Sequence, residues 1–207
     1  MNIIFDLDGT LFDTFNLHNC VMREVVEIIE GKLLSTAKII RSSKTTIALQ
    51  IKTLVDREQY AYASKLYSRL FSFKIKQGML DDKINICKVI KYFSSFGFKI
   101  SLFTGRDYES TNVILKHFKI ENYFNKVICC SGEHYNKLDN YYTKQVFDQD
   151  SIYITDSLRE IKYFESLGVP VYLASWFYGR ITCDDFKIVN TTEELKNIIL
   201  NYRGDSN

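Results

Sequence analysis

Asp6 and Asp8 stand two residues apart in Phe5-Asp6-Leu7-Asp8-Gly9-Thr10, directly after a short apolar run. On an extended backbone that spacing sends both carboxylates to the same side, where they can face one reacting centre. Surroundings that push two carboxylate pKa values apart let one act as nucleophile and the other as proton donor. A second apolar run ends in Ser101-Leu102-Phe103-Thr104-Gly105-Arg106. There Thr104 offers a hydroxyl and Gly105 an unhindered backbone N–H to a phosphate oxygen. Lys137 and Lys144 supply candidate cations to balance phosphate and neighbouring carboxylates. Finally Ile152-Tyr153-Ile154-Thr155-Asp156 closes another apolar run on an acid, and Glu160 follows four residues later, one helical turn away. Three clustered carboxylates, Asp6, Asp8 and Asp156, repel one another unless protons or a cation intervene, and hard oxygen ligands in a partly hydrated site favour Mg²⁺.

These groups need a scaffold that brings distant loops together. Short apolar runs at Asn2 to Leu7, Lys99 to Phe103, Lys126 to Cys130, Ser151 to Ile154, Val169 to Leu173 and Phe186 to Val189 predict strands. Helical spacing fills the intervals at Asp82 to Phe96, Tyr108 to Phe118, Leu138 to Phe147, Leu158 to Leu167 and Glu193 to Tyr202. That alternation predicts an α/β fold, a Rossmann-like parallel sheet, with each candidate group at the carboxyl end of a strand where open sheets place ligands. Gly97 suits the end of a helix, Thr191 with Glu194 forms a capping-box pattern, and Pro170 sits at a strand start where its missing donor matters least. Residues 15–77 break the alternation with three helical stripes: Val21, Val25, Ile28 and Ile29; Leu49, Ile51, Leu54 and Val55; Tyr60, Ala63, Tyr67 and Phe71. A helical cap inserted after the first strand is therefore expected at 15–77, with residues 1–14 and 78–207 as the catalytic core.

Composition narrows the class. The 207 residues suffice for one core with a smaller companion, and 46% hydrophobic residues exclude a disordered chain. A net charge of +2 gives no sign of a nucleic-acid partner. No apolar run approaches the roughly 18 residues of a membrane span, and Asp6 interrupts the amino terminus before a signal-peptide core forms, so a cytoplasmic location is expected. Five cysteines, two of them adjacent at Cys129 and Cys130, read as reduced structural thiols; with His18, His117 and His134 they show no zinc spacing.

FDLDGTLFDT, SLFTGR, a lysine and IYITDSLREIKYFESLGV, in that order, resemble the four motifs of the haloacid dehalogenase superfamily. The helical insertion resembles the C1-type cap of the phosphoglycolate phosphatase and β-phosphoglucomutase-like branch. The resemblance implies that Asp6 attacks phosphorus and forms an aspartyl-phosphate, and that Asp8 protonates the leaving oxygen and then deprotonates water. Thr104, Gly105 and Lys137 would bind the phosphoryl group, and Asp6, Asp156 and the backbone carbonyl of Asp8 would hold Mg²⁺. Asp8 argues against dehalogenation, because the superfamily's dehalogenases lack this second aspartate and need no metal. Where the branch often has Lys-Pro and Gly-Asp, this chain has Leu138 and Thr155, and Glu160 replaces a common aspartate, free either to reach metal-bound water or to pair with Lys137. Lys137 is preferred to Lys144 because it precedes the helix.

The expected reaction is Mg²⁺-dependent hydrolysis of a small phosphorylated metabolite; a phosphomutase would use the same motifs, and a silent phosphate-binding module would lack a reacting group. In the expected cap, Arg41-Ser42-Ser43-Lys44-Thr45-Thr46 is a polar, basic break, and Arg41 and Lys44 are candidates to contact an anionic part of the substrate. Residues 15–77 hold 11 Lys and Arg against 5 acids, a net of +6 that leaves −4 for the rest. A basic lid over an acidic, magnesium-requiring floor is the resulting expectation.

Overall fold

The computed structural model describes residues 1–43, 46–131, 137–179, 182 and 184–204. Short runs that are apolar on both faces form a parallel sheet when helices cover both sides. Here the strands are β1 (Asn2–Phe5), β2 (Lys99–Thr104), β3 (Lys126–Cys129), β4 (Ser151–Thr155), β5 (Val171–Ala174) and β6 (Ile188–Val189). Every pairing is parallel, in the order β3-β2-β1-β4-β5-β6. The first strand is thus central, with Phe5 opposite Leu102 on one side and Ile154 on the other. Side chains alternate: Ile3, Phe5, Ile100, Leu102, Ile152 and Ile154 enter one core, while Ile4, Phe103, Tyr153, Val171 and Leu173 enter a second.

The helices are α1 (Phe15–Glu30), α2 (Thr36–Arg41), α3 (Ile47–Leu54), α4 (Tyr60–Lys76), α5 (Ile86–Ser95), α6 (Tyr108–His117), α7 (Asn140–Val146), α8 (Leu158–Ser166) and α9 (Thr192–Gly204). The first five fall between β1 and β2, the first four of them within 15–77, and α4 packs against both α1 and α6. Two helices start later than their spacing predicts, each behind an aspartate whose carboxylate takes up a first-turn amide. Asp82 accepts from the Ile86 amide at 2.7 Å, and Asp139 accepts from the Tyr141 amide at 2.8 Å. Lys137 and Leu138 therefore belong to the loop before α7, not to the helix. In the first helical stripe, Val21 and Val25 are buried but Ile28 is 53% exposed; Leu17, Met22 and Val26 complete the buried face instead. Gly97 has φ of 77° after α5, and Thr191 accepts from the Glu194 amide at 3.1 Å. Among the described residues no helix is long and apolar enough to cross a membrane, and Cys20, Cys87, Cys129 and Cys130 are unbridged.

Candidate active site

A cleft of about 370 Å³ opens at the carboxyl end of the sheet, between the loops after β1, β2 and β4 and helices α1 and α3. At its floor, Lys137 Nζ lies 2.9 Å from Asp6 Oδ1 and 2.8 Å from Glu160 Oε2. Glu160 also accepts from the Tyr153 hydroxyl and, at 2.9 Å, from Thr155 Oγ1. Of the two routes open to Glu160, it takes the pairing with Lys137. The ammonium also lies 5.5 Å above each of the Phe103 and Tyr153 rings. Burial alone would make Lys137 easier to deprotonate, but Asp6 and Glu160 reverse this and hold it charged. Lys144 is exposed on α7.

Asp8 faces a different cation. Arg106 Nη2 lies 2.7 Å from Asp8 Oδ1, its Nε contacts both carboxylate oxygens at 3.2 and 3.1 Å, and the Thr14 hydroxyl donates to the same Oδ1. The guanidinium is itself 2% exposed and stacks 4.0 Å over Phe71 of α4. Burial would raise the Asp8 pKa, yet Arg106 and Thr14 bring it below the ordinary carboxylate value. Thr104 is fully buried at the end of β2 and accepts from the Arg106 amide at 3.1 Å. Gly105 and Arg106 form that part of the cleft wall, and Thr104 does not.

Asp156 follows β4, beside Asp6, whose amide donates to Ile154 O at 2.9 Å. The Tyr178 hydroxyl donates to Asp156 Oδ2 at 2.7 Å. Gly9 makes this proximity possible: it has φ of 75°, and a Cβ there would come within 2.1 Å of Asp156 Oδ2. Burial pushes the Asp156 pKa up to about 6 against the pull of Tyr178 and Lys137, with Glu160 and Asp8 adding repulsion. Burial likewise raises Asp6 well above its ordinary value; Lys137 opposes, and Glu160 and Asp156 add to the rise.

The opposite wall comes from the helical insertion: Phe15, His18, Ser43, Thr46, Ile47 and Gln50. Gln50 Nε2 donates to Ile39 O at 3.0 Å, which turns its Oε1 toward His18 Nε2 at 2.9 Å. His18 therefore carries its proton on Nε2 and accepts from the Tyr67 hydroxyl at Nδ1, 2.8 Å away. Burial and the nearby Arg106 push His18 down to about 4, so it is neutral at pH 7. Arg41 is exposed at the end of α2 and is absent from the cleft wall; Lys44 lies outside the described residues. Arg41 thus adds nothing to a basic lid over the cleft. Among the described residues, the insertion lines the cleft with groups uncharged at neutral pH, and both cleft cations, Arg106 and Lys137, come from the sheet loops. The net positive charge of 15–77 sits on residues such as the exposed Lys32, Lys38, Arg57, Lys65 and Lys76.

Charge balance tests the fit of a metal. With every group ionised, Asp6, Asp8, Asp156 and Glu160 outweigh Lys137 and Arg106 by two negative charges. Burial first, and repulsion within that surplus second, raise Asp6 and Asp156, and one divalent cation would cancel the surplus. Among the described residues no three His, Cys, Asp or Glu side chains gather as a metal cage; His134 and Cys183 lie outside them. Carboxylates with a backbone carbonyl fit Mg²⁺, which keeps several waters and takes only one or two carboxylates.

Arg106, Tyr178 and the His18–Gln50 wall were not singled out by spacing. Arg106 was visible in SLFTGR, but a buried cation is recognisable only with its partner, and Tyr178 lies in an aromatic run that reads as core.

Similar architecture occurs in solved structures. CbbY from Rhodobacter sphaeroides, in complex with phosphate, superimposes with a TM-score of 0.77 at 15% identity, over 94% of this chain and 95% of that one. A predicted phosphatase from Clostridium acetobutylicum gives 0.74 at 19% identity over 97% and 98% of the two chains. A predicted phosphoglycolate phosphatase from Haemophilus somnus gives 0.72 at 16% identity over 95% and 96%. Similarity this low in sequence establishes a shared fold. No curated protein sequence matches the chain. The family model of haloacid dehalogenase-like hydrolases matches residues 3–174, a span that takes in Asp6, Asp8, Thr104, Lys137, Asp156 and Glu160, and the chain belongs to that family.

Proposed function

We propose that the protein is a Mg²⁺-dependent phosphatase that hydrolyses a small phosphomonoester through an aspartyl-phosphate on Asp6. The observation that carries this reading is the floor of the cleft: Asp6 lies 2.9 Å from Lys137, with Asp8 two residues on and turned toward a separate cation. In the first displacement an Asp6 oxygen bonds to phosphorus, the bond to the leaving oxygen breaks, and Asp8 gives that oxygen a proton. In the second, water attacks phosphorus, Asp8 takes its proton, and the bond to Asp6 breaks. A carboxylate nucleophile divides hydrolysis into two easier steps. In this reading Lys137 and the Gly105 N–H bind the phosphoryl group where charge develops on its equatorial oxygens, and Thr104, buried behind the wall, would join them only by turning its hydroxyl from the Arg106 amide into the cleft. Asp6, Asp156 and the Asp8 carbonyl would hold Mg²⁺, which supplies positive charge to the same oxygens.

Arg106 and Thr14 keep Asp8 ionised in the free protein, the state needed to accept a proton from water. Delivering a proton in the first step requires Asp8 to part from Arg106 and first take up a proton from solvent. Because Arg106 is stacked on Phe71 of α4, movement of the insertion and release of Asp8 would be linked. This supports treating 15–77 as a cap on a core of 1–14 and 78–207, one that excludes water when closed. CbbY bound to phosphate, and the phosphatases named above, support the substrate class.

The test is phosphate release from a panel of phosphorylated metabolites with and without Mg²⁺, beside Asp6→Asn. Metal-dependent release in proportion to substrate lost, abolished in Asp6→Asn, is expected. An isomerised sugar phosphate without release would make the protein a mutase, and full activity in Asp6→Asn would refute the mechanism.

A further inference from the structure

Tyr178 contributes one of the few contacts at the cleft that the proposed reaction does not use. Its ring is 57% exposed, yet its hydroxyl is turned inward onto Asp156 Oδ2 at 2.7 Å. Surface tyrosines usually keep the hydroxyl in water, so this orientation needs a cause. Two features of the surrounding chain supply one.

The turn that carries Tyr178 is tied down on three sides. Its own amide donates to Ser175 O at 3.0 Å, Ser175 Oγ lies 2.7 Å from Asn190 Oδ1, and Trp176 Nε1 donates to Thr10 O at 2.9 Å. The last bond fastens the turn to the loop that carries Asp6 and Asp8. That loop, in turn, is shaped around the phenol: a Cβ at Gly9 would lie 2.9 Å from the Tyr178 hydroxyl as well as 2.1 Å from Asp156 Oδ2. The phenol, the carboxylate and the Asp8–Gly9 backbone therefore meet at one point, and only a glycine leaves room for all three.

We infer that Tyr178 is a positioning residue for the cation site, holding Asp156 by Oδ2 beside the Asp8–Gly9 backbone so that the carboxylate is fixed and Oδ1 is left for the cation. The inference rests on the Mg²⁺-dependent reading above. A metal-ligating carboxylate that is free to rotate spends conformational freedom when it binds, and a fixed donor on its second oxygen removes that cost in advance. Partners of this kind change metal affinity by about 10–100-fold when removed. The competing physical outcome is that the phenol blocks the oxygen the cation needs, in which case removing the hydroxyl would tighten binding.

Tyr178→Phe keeps the ring and deletes only the donor. Calorimetric titration with MgCl₂, without substrate, reads the effect directly, with Asp156→Asn beside it. The expected result is binding weakened about tenfold or more in Tyr178→Phe, with wild-type kcat recovered at saturating Mg²⁺. A purely structural role would instead lower kcat at every Mg²⁺ concentration. Unchanged or tighter Mg²⁺ binding in Tyr178→Phe, while Asp156→Asn loses it, overturns this inference alone. Wild-type protein that binds no Mg²⁺, or Asp156→Asn that binds it like wild type, overturns the cation site and this inference together.

Discussion

The pair formed by Asp8 and Arg106 predicts an asymmetry between its two single variants. Arg106 is 2% exposed and Asp8 is 36% exposed, so each deletion strands a charge in a different medium. Losing one partner of a fully buried pair costs about 3–5 kcal/mol, because the remaining charge has neither water nor counter-charge. Asp8→Ala leaves the buried guanidinium without a counter-charge, against Phe71 and the neutral Tyr67 hydroxyl, and should cost about 3 kcal/mol. Arg106→Met leaves a carboxylate with a third of its surface in water, which can hydrate, and a flexible apolar chain on Phe71. Its cost should be about 1–2 kcal/mol, between the surface-pair and buried-pair limits. The double variant strands neither charge, so it should be more stable than the two single losses predict, with a coupling of about 2 kcal/mol. Urea unfolding at pH 7 of the four proteins, with stability taken by linear extrapolation, measures every term. A coupling below about 0.5 kcal/mol, or Arg106→Met costing more than Asp8→Ala, would show that the pair is held as a surface ion pair and refute the reasoning.

The remaining predictions concern the other carboxylates and the cap. Asp156 has a folded pKa of about 6 against 3.8, so its stabilising contribution is present below about pH 4 and is lost as pH rises through 6. Metal-free Asp156→Asn should therefore be more stable than wild type by roughly 2–3 kcal/mol at pH 7, with little difference at pH 4. A gap that widens toward acid would contradict this, and taking the difference cancels the opposing acid sensitivity of His18. Gly9→Ala must place a Cβ at positive φ and within 2.1 Å of Asp156 Oδ2, so it should lose at least about 2 kcal/mol and weaken Mg²⁺ binding in the same protein. Wild-type melting with wild-type Mg²⁺ affinity would overturn the crowding at that loop. Arg41→Gln, exposed and off the cleft wall, should leave KM unchanged; a severalfold rise would bring α2 to the substrate.

Local patterns in the chain carried much of the answer. The alternating strands and helices were legible because a strand buried on both faces is apolar throughout, and an amphipathic helix repeats every 3.6 residues. Asp6, Asp8 and Asp156 were legible for a related reason: they stand at the end of short apolar runs, and parallel strands deliver their carboxyl ends to one edge, whereas Lys137 was read from its place before a helix and Glu160 from its spacing four residues after Asp156. Helix starts were less visible, since Asp82 and Asp139 act through backbone amides several residues away.

What the sequence by itself determined is therefore a parallel α/β sheet of the haloacid dehalogenase-like type, with its candidate carboxylates and lysine in order along the chain. Only the tertiary structure decided how those charges pair. It sent Lys137 to Asp6 and Glu160, gave Asp8 to Arg106, and turned Tyr178 onto Asp156. It also decided that the described cleft wall of the insertion is uncharged, although that segment is basic by count. Net charge counts residues wherever they point, whereas ion pairing falls off with distance and depends on burial, and both are properties of the folded chain.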